Sequence, residues 1–436
     1  TTHDGGDRDG AFVKIINAGD IARTSHVEVT SDEGFILVGT IQDTFDMLIV
    51  RLTPSGNLIW ARTVTAADGW ATCVKQTADN GFIVTGYAKD YFGGFLKKHG
   101  LIMKFNAFGT LSWARRVITT SAHWINLRLR DLDVDSNGYI ITGSEDIELQ
   151  PYVVDTYPFI LKTDLNGYAV FCTRTDFEED SEYYDVQTCS DDGFIVTGKV
   201  MNEGLLARKF TSTGTTSWTR IIIRSGAVQA TGNSVRQTSD DGYIVSGECL
   251  DSGFLIKYTS AGPAAWAAYA DACVDDSAEL RSVLQTESGL YRVVGNTKQF
   301  SDNTGSGYLL TFSNIGNLLG AKTLEIDELA IETLNNIQDI PSGGYLISGN
   351  LSEYASYYLV DSEIILIKTN SSGTVPGCDL FTDCSPSAGM PFTENDFLVP
   401  TDESLTLEIT SESVTVNQFF PSISVLCEEP TVTPTS

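Results

Sequence analysis

The sequence predicts an all-β protein: a seven-bladed β-propeller of four-stranded blades, closed by an N-terminal strand and followed by a C-terminal β-rich tail. Three observations carry that expectation. A nine-residue string recurs seven times, each copy brings four short apolar runs separated by turn residues, and helical periodicity is absent throughout. The string reads SDEGFILVG at Gly34, ADNGFIVTG at Gly81, DSNGYIITG at Gly138, SDDGFIVTG at Gly193 and SDDGYIVSG at Gly242, with weaker copies at Gly289 and Gly344. Successive separations are 47, 57, 55, 49, 47 and 55 residues.

Within each copy the strands, lettered a to d from the inside outward, follow from the residues. Short polar residues and a glycine form the a–b turn, and a β-branched run after them makes strand b. Strand c comes next, as in MLIVRLTPSGN or FLIKYTSAG, and ends in a second glycine turn. Strand d carries an aromatic in register, Trp60, Trp113, Phe171, Trp218 and Trp266, with Gly320 in that place in the sixth copy. These rings suit packing between blades, where a large side chain buries much area. The seventh copy runs into GTVPGCDL and lacks a strand d, whereas AFVKII at residues 11 to 16 is an orphan strand with the right pattern. The N-terminus is therefore expected to complete the last blade and remove an open edge. The propeller is assigned to residues 11–377 and the tail to 378–436.

The repeats resemble those of secreted or surface-bound microbial propeller proteins with the pattern DGGFIVTG, LIKTDSNG and a tryptophan strand. That resemblance implies the fold and an extracellular or cell-surface location, and it names no activity. The start at Thr1, with neither Met nor an apolar leader, reads as a mature exported chain. Eight scattered cysteines without a CxxC pair read as disulfides, with Cys378 and Cys384 the nearest local pair. Sequons mark Asn350 and Asn370 as glycosylation candidates.

The chain has 57 acidic against 28 basic residues, a formal net charge of −29. Such a field disfavours nucleic acid and anionic membranes, and no apolar stretch is long enough to span a bilayer. Glycans and other copies of the chain are the expected partners. DVDSNG at residues 133–138 matches the opening of a calcium loop, placing Asp133, Asp135 and Asn137 as metal candidates. The same residues fit an a–b turn, which the repeat favours; calcium is kept as the alternative, and no other cofactor is expected. The four histidines share no spacing, and Lys75 and Arg236 are placed to project into a central channel.

Variable segments between strands b and c and between d and a should lie on one face of the disc, at 88–100, 144–158, 176–185, 296–307 and 350–363. Trp70, Trp124, Asp180, Tyr183 and Tyr184 lie in or beside them and are the ligand-binding candidates. The tail alternates apolar and polar residues in LTLEI and VTVNQ, so its apolar side needs cover, from its own disc or from a neighbouring subunit. The function expected from these features is a non-enzymatic structural or adhesive subunit without catalytic residues, polymerising through C-terminal strand exchange. The alternative is a glycan-binding module or a glycan-active hydrolase or lyase.

Overall fold

The computed structural model describes residues 10–19, 21–92, 95–119, 124–150, 153–223, 230–271, 277–298, 305–324, 326, 330–355, 358–376, 381–385, 388–389, 393–395, 401–404, 407–412 and 414–428. The fold is all-β, and the described residues contain no helix. Seven antiparallel four-stranded units follow one another along the chain, and a single parallel bridge, Asn126 to Lys98, links the second and third. In the seventh unit Phe12–Asn17 takes the fourth place, pairing with Tyr358–Lys368. The first strands of the units are Ala22–Val29, Trp70–Gln76, Trp124–Asp135, Ser181–Thr188, Ala230–Gln237, Ser277–Gln285 and Ala330–Asp339. Each packs on the first strands of the units before and after it, and the seventh packs on the first.

The hydrophobic core is divided in the same way. Seven buried clusters each lie between one sheet and the next, including one that joins Leu346, Ile364 and Leu366 of the seventh sheet to Leu37, Leu48 and Val50 of the first. The strand-d aromatics seal these clusters. Trp60 donates from Nε1 to the Ala107 carbonyl of the next sheet at 3.0 Å, and Trp266 reaches Asn314 in the same way at 3.1 Å. Gly109, at φ +73°, sits directly over the Trp60 ring, where a Cβ would come within 2.8 Å of it.

The first strands have an edge with no neighbouring strand, so their backbone amides need other partners. Side chains from adjacent sheets supply them. Glu28 accepts from the Gln76 amide, Gln187 from Gln237, and Gln338 of the seventh sheet from Val29 of the first. Every first strand also carries a bulge, immediately before His26, Cys73, Asp131, Asp185, Ser234, Ser282 and Asn336. The last glycine of each repeated string faces it. A Cβ on Gly86 would stand 2.1 Å from the Trp70 carbonyl and one on Gly198 1.9 Å from that of Glu182, so only glycine fits.

The aspartate of the a–b turn has an equally local cause. Asp79 accepts from the Thr77 hydroxyl at 2.5 Å and the Gly81 amide at 3.0 Å, and pairs with Lys104 from strand c at 2.9 Å. Asp240 repeats the arrangement with Thr238, Gly242 and Lys257.

The tail lies along its own chain. Phe381–Cys384, Ala388–Gly389, Thr393–Asn395, Thr401–Ser404, Leu407–Ser411, Thr415–Phe419 and Ser422–Glu428 pair in turn with the outer strands of sheets six, five, four, three, two, one and seven. Every four-stranded unit thereby gains a fifth strand, and the tail passes the sheets in the reverse of the order in which they were made. In three of the variable segments, 88–100, 144–158 and 350–363, the described residues are strand rather than loop and extend their sheets in antiparallel pairs.

Four cysteines, Cys73, Cys172, Cys189 and Cys249, are free, which corrects the reading of the whole set as disulfides. Cys384 is disulfide-bonded, and Cys378 lies outside the described residues. Asn350 is corrected as a glycosylation candidate: it is 6% exposed and its Oδ1 accepts from the Thr24 amide at 2.8 Å. Asn370 stands at a turn and uses Oδ1 to accept from the Ser372 and Thr374 amides.

Candidate functional site

The bulges turn one residue of each first strand, Ser25, Thr72, Arg130, Tyr184, Asn233, Arg281 and Asn335 in sheet order, out of the regular alternation. Several of these line a cavity of about 600 Å³ at the end where the first strands begin. Its wall includes Arg23, Trp70, Tyr184, Asn233, Glu279 and Arg281. A side pocket of about 370 Å³ shares Tyr184, Asn233 and Glu279 and adds Lys199 and Glu248.

One side of this mouth is aromatic. Trp70 is half-buried and stacks on Tyr87 with ring centroids 6.4 Å apart at 13°. Lys98 lies over the other partner of that stack, 5.0 Å from the Tyr87 centroid. Burial lowers the Lys98 ammonium below its usual range, and Arg128, Lys89 and Arg130 add to the effect. Of these cations Arg128 pairs with Asp146, Lys89 with Asp68 and Arg130 with Glu182, so the group beside the aromatic wall is largely neutralised.

Beside it is a coupled acid and phenol. Glu182 pairs with Arg130 and lies 3.3 Å from Lys199, and it accepts from the Tyr184 hydroxyl at 3.2 Å. Burial pushes the Glu182 carboxyl up, but Arg130 and Lys199 outweigh it and hold the group below the ordinary glutamate range. Burial, followed by the Glu182 charge, pushes the Tyr184 phenol up. At neutral pH the pair is thus a carboxylate accepting from a neutral phenol, with a second carboxylate, Glu279, paired to Arg281 at 2.8 Å. A carboxylate and a phenol in hydrogen-bond reach are the elements of an activated nucleophile.

Of the residues singled out in the sequence, Trp70 and Tyr184 come together here. Tyr183 is corrected: its side chain alternates away from the mouth, is fully buried, and places its hydroxyl 3.2 Å from Arg208. Asp180 accepts from the Thr156 amide at 2.7 Å and does not line the cavity. Trp124 begins its strand, and its side chain lies outside the described residues. Glu182, Glu279, Arg130 and Arg281 were not singled out; the only sequence signal was their shared offset from the bulge, which appears once the strands are paired.

The opposite mouth, about 590 Å³, is lined by Glu28, Lys75, Asp133, Arg236 and Gln338. Lys75 is 3.2 Å from Glu28, and Arg236 is 2.6 Å from Asp185, so both cations are paired. The calcium-loop carboxylates are committed elsewhere. Asp133 accepts from the Thr188 amide at 2.8 Å and its hydroxyl at 2.7 Å, while Asp135 caps the Asn137 amide and pairs with Lys162.

No protein-family model and no curated protein matches the chain. Among solved structures it aligns with a subtype N11 neuraminidase-like protein of A/flat-faced bat/Peru/033/2010 (H18N11), at 10% identity over 86% of this chain and 92% of that one, TM-score 0.41. It also aligns with a putative exo-β-1,3-galactanase from Bifidobacterium bifidum, at 10% identity over 76% and 93% of the two chains, TM-score 0.34. A GH43 β-1,3-galactosidase with galactodeoxynojirimycin gives 10% identity over 74% and 95%, TM-score 0.36. The tail strands are paired within their own chain, which corrects the expectation of a subunit polymerising through C-terminal strand exchange.

Proposed function

We propose that the seven units are the blades of a propeller and that its aromatic mouth, which carries Arg23 and Arg281, binds and cleaves an acidic glycan. The observation that carries this reading is the juxtaposition of Trp70, Tyr184, Arg23 and Arg281 around one cavity, with Tyr87 stacked on Trp70 and Glu182 accepting from Tyr184. An aromatic face accepts the apolar side of a sugar ring, and arginine accepts its carboxylate in bidentate fashion. Tyr184 attacks the anomeric carbon while Glu182 takes its proton and the glycosidic oxygen leaves with a proton from solvent; water then hydrolyses the glycosyl–tyrosine bond, regenerating the phenol, and Glu182 returns its proton to solvent. The elevated phenol makes Glu182 essential, because Tyr184 does not ionise unaided. The closed cycle of contacts among the first strands, with Gln338 reaching Val29, supports the ring.

The test is a panel of uronic-acid and sialic-acid glycosides assayed for release of reducing ends, with binding followed separately by calorimetry. Glu182→Gln and Tyr184→Phe should each lower turnover by at least about 100-fold, in the range of losing a positioned base or nucleophile, with binding kept. Trp70→Ala should weaken binding. Saturable binding without turnover would leave the mouth as a glycan receptor, and neither binding nor turnover across the panel would overturn the reading.

A further inference from the structure

The residue that follows the bulge is structurally equivalent in all seven first strands, and its side chain is buried in every one: His26, Cys73, Asp131, Asp185, Ser234, Ser282 and Asn336. In sheets four and six it caps the next sheet's backbone, Asp185 accepting from the Val235 amide at 2.8 Å and Ser282 from Ile337 at 3.3 Å. Three consecutive sheets place His, Cys and Asp there, and Asp131 likewise caps the Val186 amide of the next sheet. Their imidazole nitrogen, thiol sulfur and carboxylate oxygen all lie within 4.8 Å of one another.

We propose that His26, Cys73 and Asp131 form a binding site for a zinc-class divalent cation in the channel wall, between the two mouths. Imidazole, thiolate and carboxylate are the ligands zinc takes, at about 2.0–2.3 Å, which sets ligand atoms roughly 3.5 Å apart in a tetrahedron. The present spacing reaches that by small side-chain rotations. The ligands are also under-used. His26 is 7% exposed and its Nδ1 has no hydrogen-bond partner, which a buried ring nitrogen rarely tolerates. Cys73 makes long contacts, to the Leu132 carbonyl at 3.6 Å and the Val74 carbonyl at 3.9 Å, and lies against the Asp131 carboxyl. Asp131 accepts from the Val186 amide at 2.9 Å and its carboxyl also contacts Cys73 and Asp185.

The charge balance permits a dication. Metal binding displaces the protons of the Cys73 thiol and the Asp131 carboxyl, so two negative ligands meet two positive charges, and a water completes the fourth position. Lys75 and Arg236, the nearby cations, are neutralised by Glu28 and Asp185. The site is independent of the glycan-binding mouth, since none of its three ligands lines that cavity.

The full chain, stripped with a chelator and checked for folding by circular dichroism, is titrated with Co²⁺ and then Zn²⁺. One equivalent of cobalt should bind with a thiolate-to-cobalt charge-transfer band, and zinc should displace it. Cys73→Ser should abolish the band, His26→Gln should weaken binding by at least about 100-fold, above the range for losing an outer-shell partner, and Cys189→Ser should change neither. Because a variant can misfold, X-ray absorption of the zinc-loaded unaltered chain is the second readout, with one sulfur expected at about 2.3 Å. Failure of the folded chain to bind cobalt, a zinc shell of nitrogen and oxygen alone, or a band that survives in folded Cys73→Ser would each overturn the site.

Discussion

Phe12 faces Lys368 across the ladder that completes the seventh sheet, in the register by which Trp60 faces Arg51 and Trp266 faces Lys257. Its ring lies under Gly56 of the first sheet, where a Cβ would come within 2.7 Å of it, as Trp60 lies under Gly109. The N-terminal strand therefore supplies both the missing strand and the missing aromatic. Phe12→Ala should cost about 3–5 kcal/mol, the range for emptying a buried aromatic site, read from urea denaturation. Phe12→Trp should be close to neutral.

The sixth sheet lacks this seal, because Gly320 faces Thr311 where other sheets have an aromatic, and a Cβ there would meet nothing within 4 Å. Gly320→Trp should stabilise the protein by about 0.5–1.5 kcal/mol through added aromatic contact. Thermal melting measures it. A loss of stability would mean that Arg292, which lies beside Gly373, already fills the space.

The repeat made the strands legible because its constraints are local. The closing glycine answers the bulge carbonyl, the turn aspartate answers a threonine, an amide and a strand-c cation, and the aromatic answers a turn glycine. Residues 11–16 were legible for the same reason. The mouth was not, since Trp70, Tyr184 and Arg281 converge only when sheets about 100 residues apart are arranged together. Net charge concealed the cation cluster around Lys98, and the His26–Cys73–Asp131 group has no sequence spacing because it is contiguous only in register. The tail's alternation predicted strands needing cover, but their partners depend on edges contributed by all seven sheets.

Asp133→Ala should destabilise the chain by about 1–3 kcal/mol, the cost of leaving the Thr188 amide unsatisfied. If its role is the one seen here, the melting shift will be the same with calcium and with chelator. A shift that appears only with calcium would restore the metal reading of Asp133, Asp135 and Asn137.

Acid should unfold the protein in two stages. Burial, aided by Arg116, lowers His99 to about 4, and burial lowers His26 as well. Both are neutral when folded, so their contribution is complete above about pH 6.5 and declines as pH falls toward 4, by at most about 3 kcal/mol for His99. Asp79 and Asp240 are held at about 2: burial pushes them up slightly, but threonine, lysine and backbone donors prevail. Their contribution is present above about pH 4 and disappears as pH falls through 2. Stability measured by denaturant between pH 7 and 2 should show both declines; a flat profile from 6.5 to 4 would contradict the burial of the histidines.

Deleting residues 385–436 should leave the four-stranded units folded, because every hydrophobic cluster is built mainly from residues before 377. It should lower the melting temperature and expose outer-strand edges that promote association. Circular dichroism and light scattering separate the two effects, and an unfolded truncation would show the tail to be part of the core.

The seventh sheet holds Phe12–Asn17 between Tyr358–Lys368 and Ser422–Glu428. During synthesis the first of these segments leaves the ribosome early and has no partner until some 340 further residues have been made. It then receives its second neighbour only after the tail has passed six other sheets. Completion of this sheet thus waits until residues 358–368 and 422–428 have been made, with the long-range pairing that makes folding slow. A nascent chain stalled before residue 358 would carry an unpaired apolar strand at one end and an uncovered first sheet beside it, which is the state a chaperone would meet.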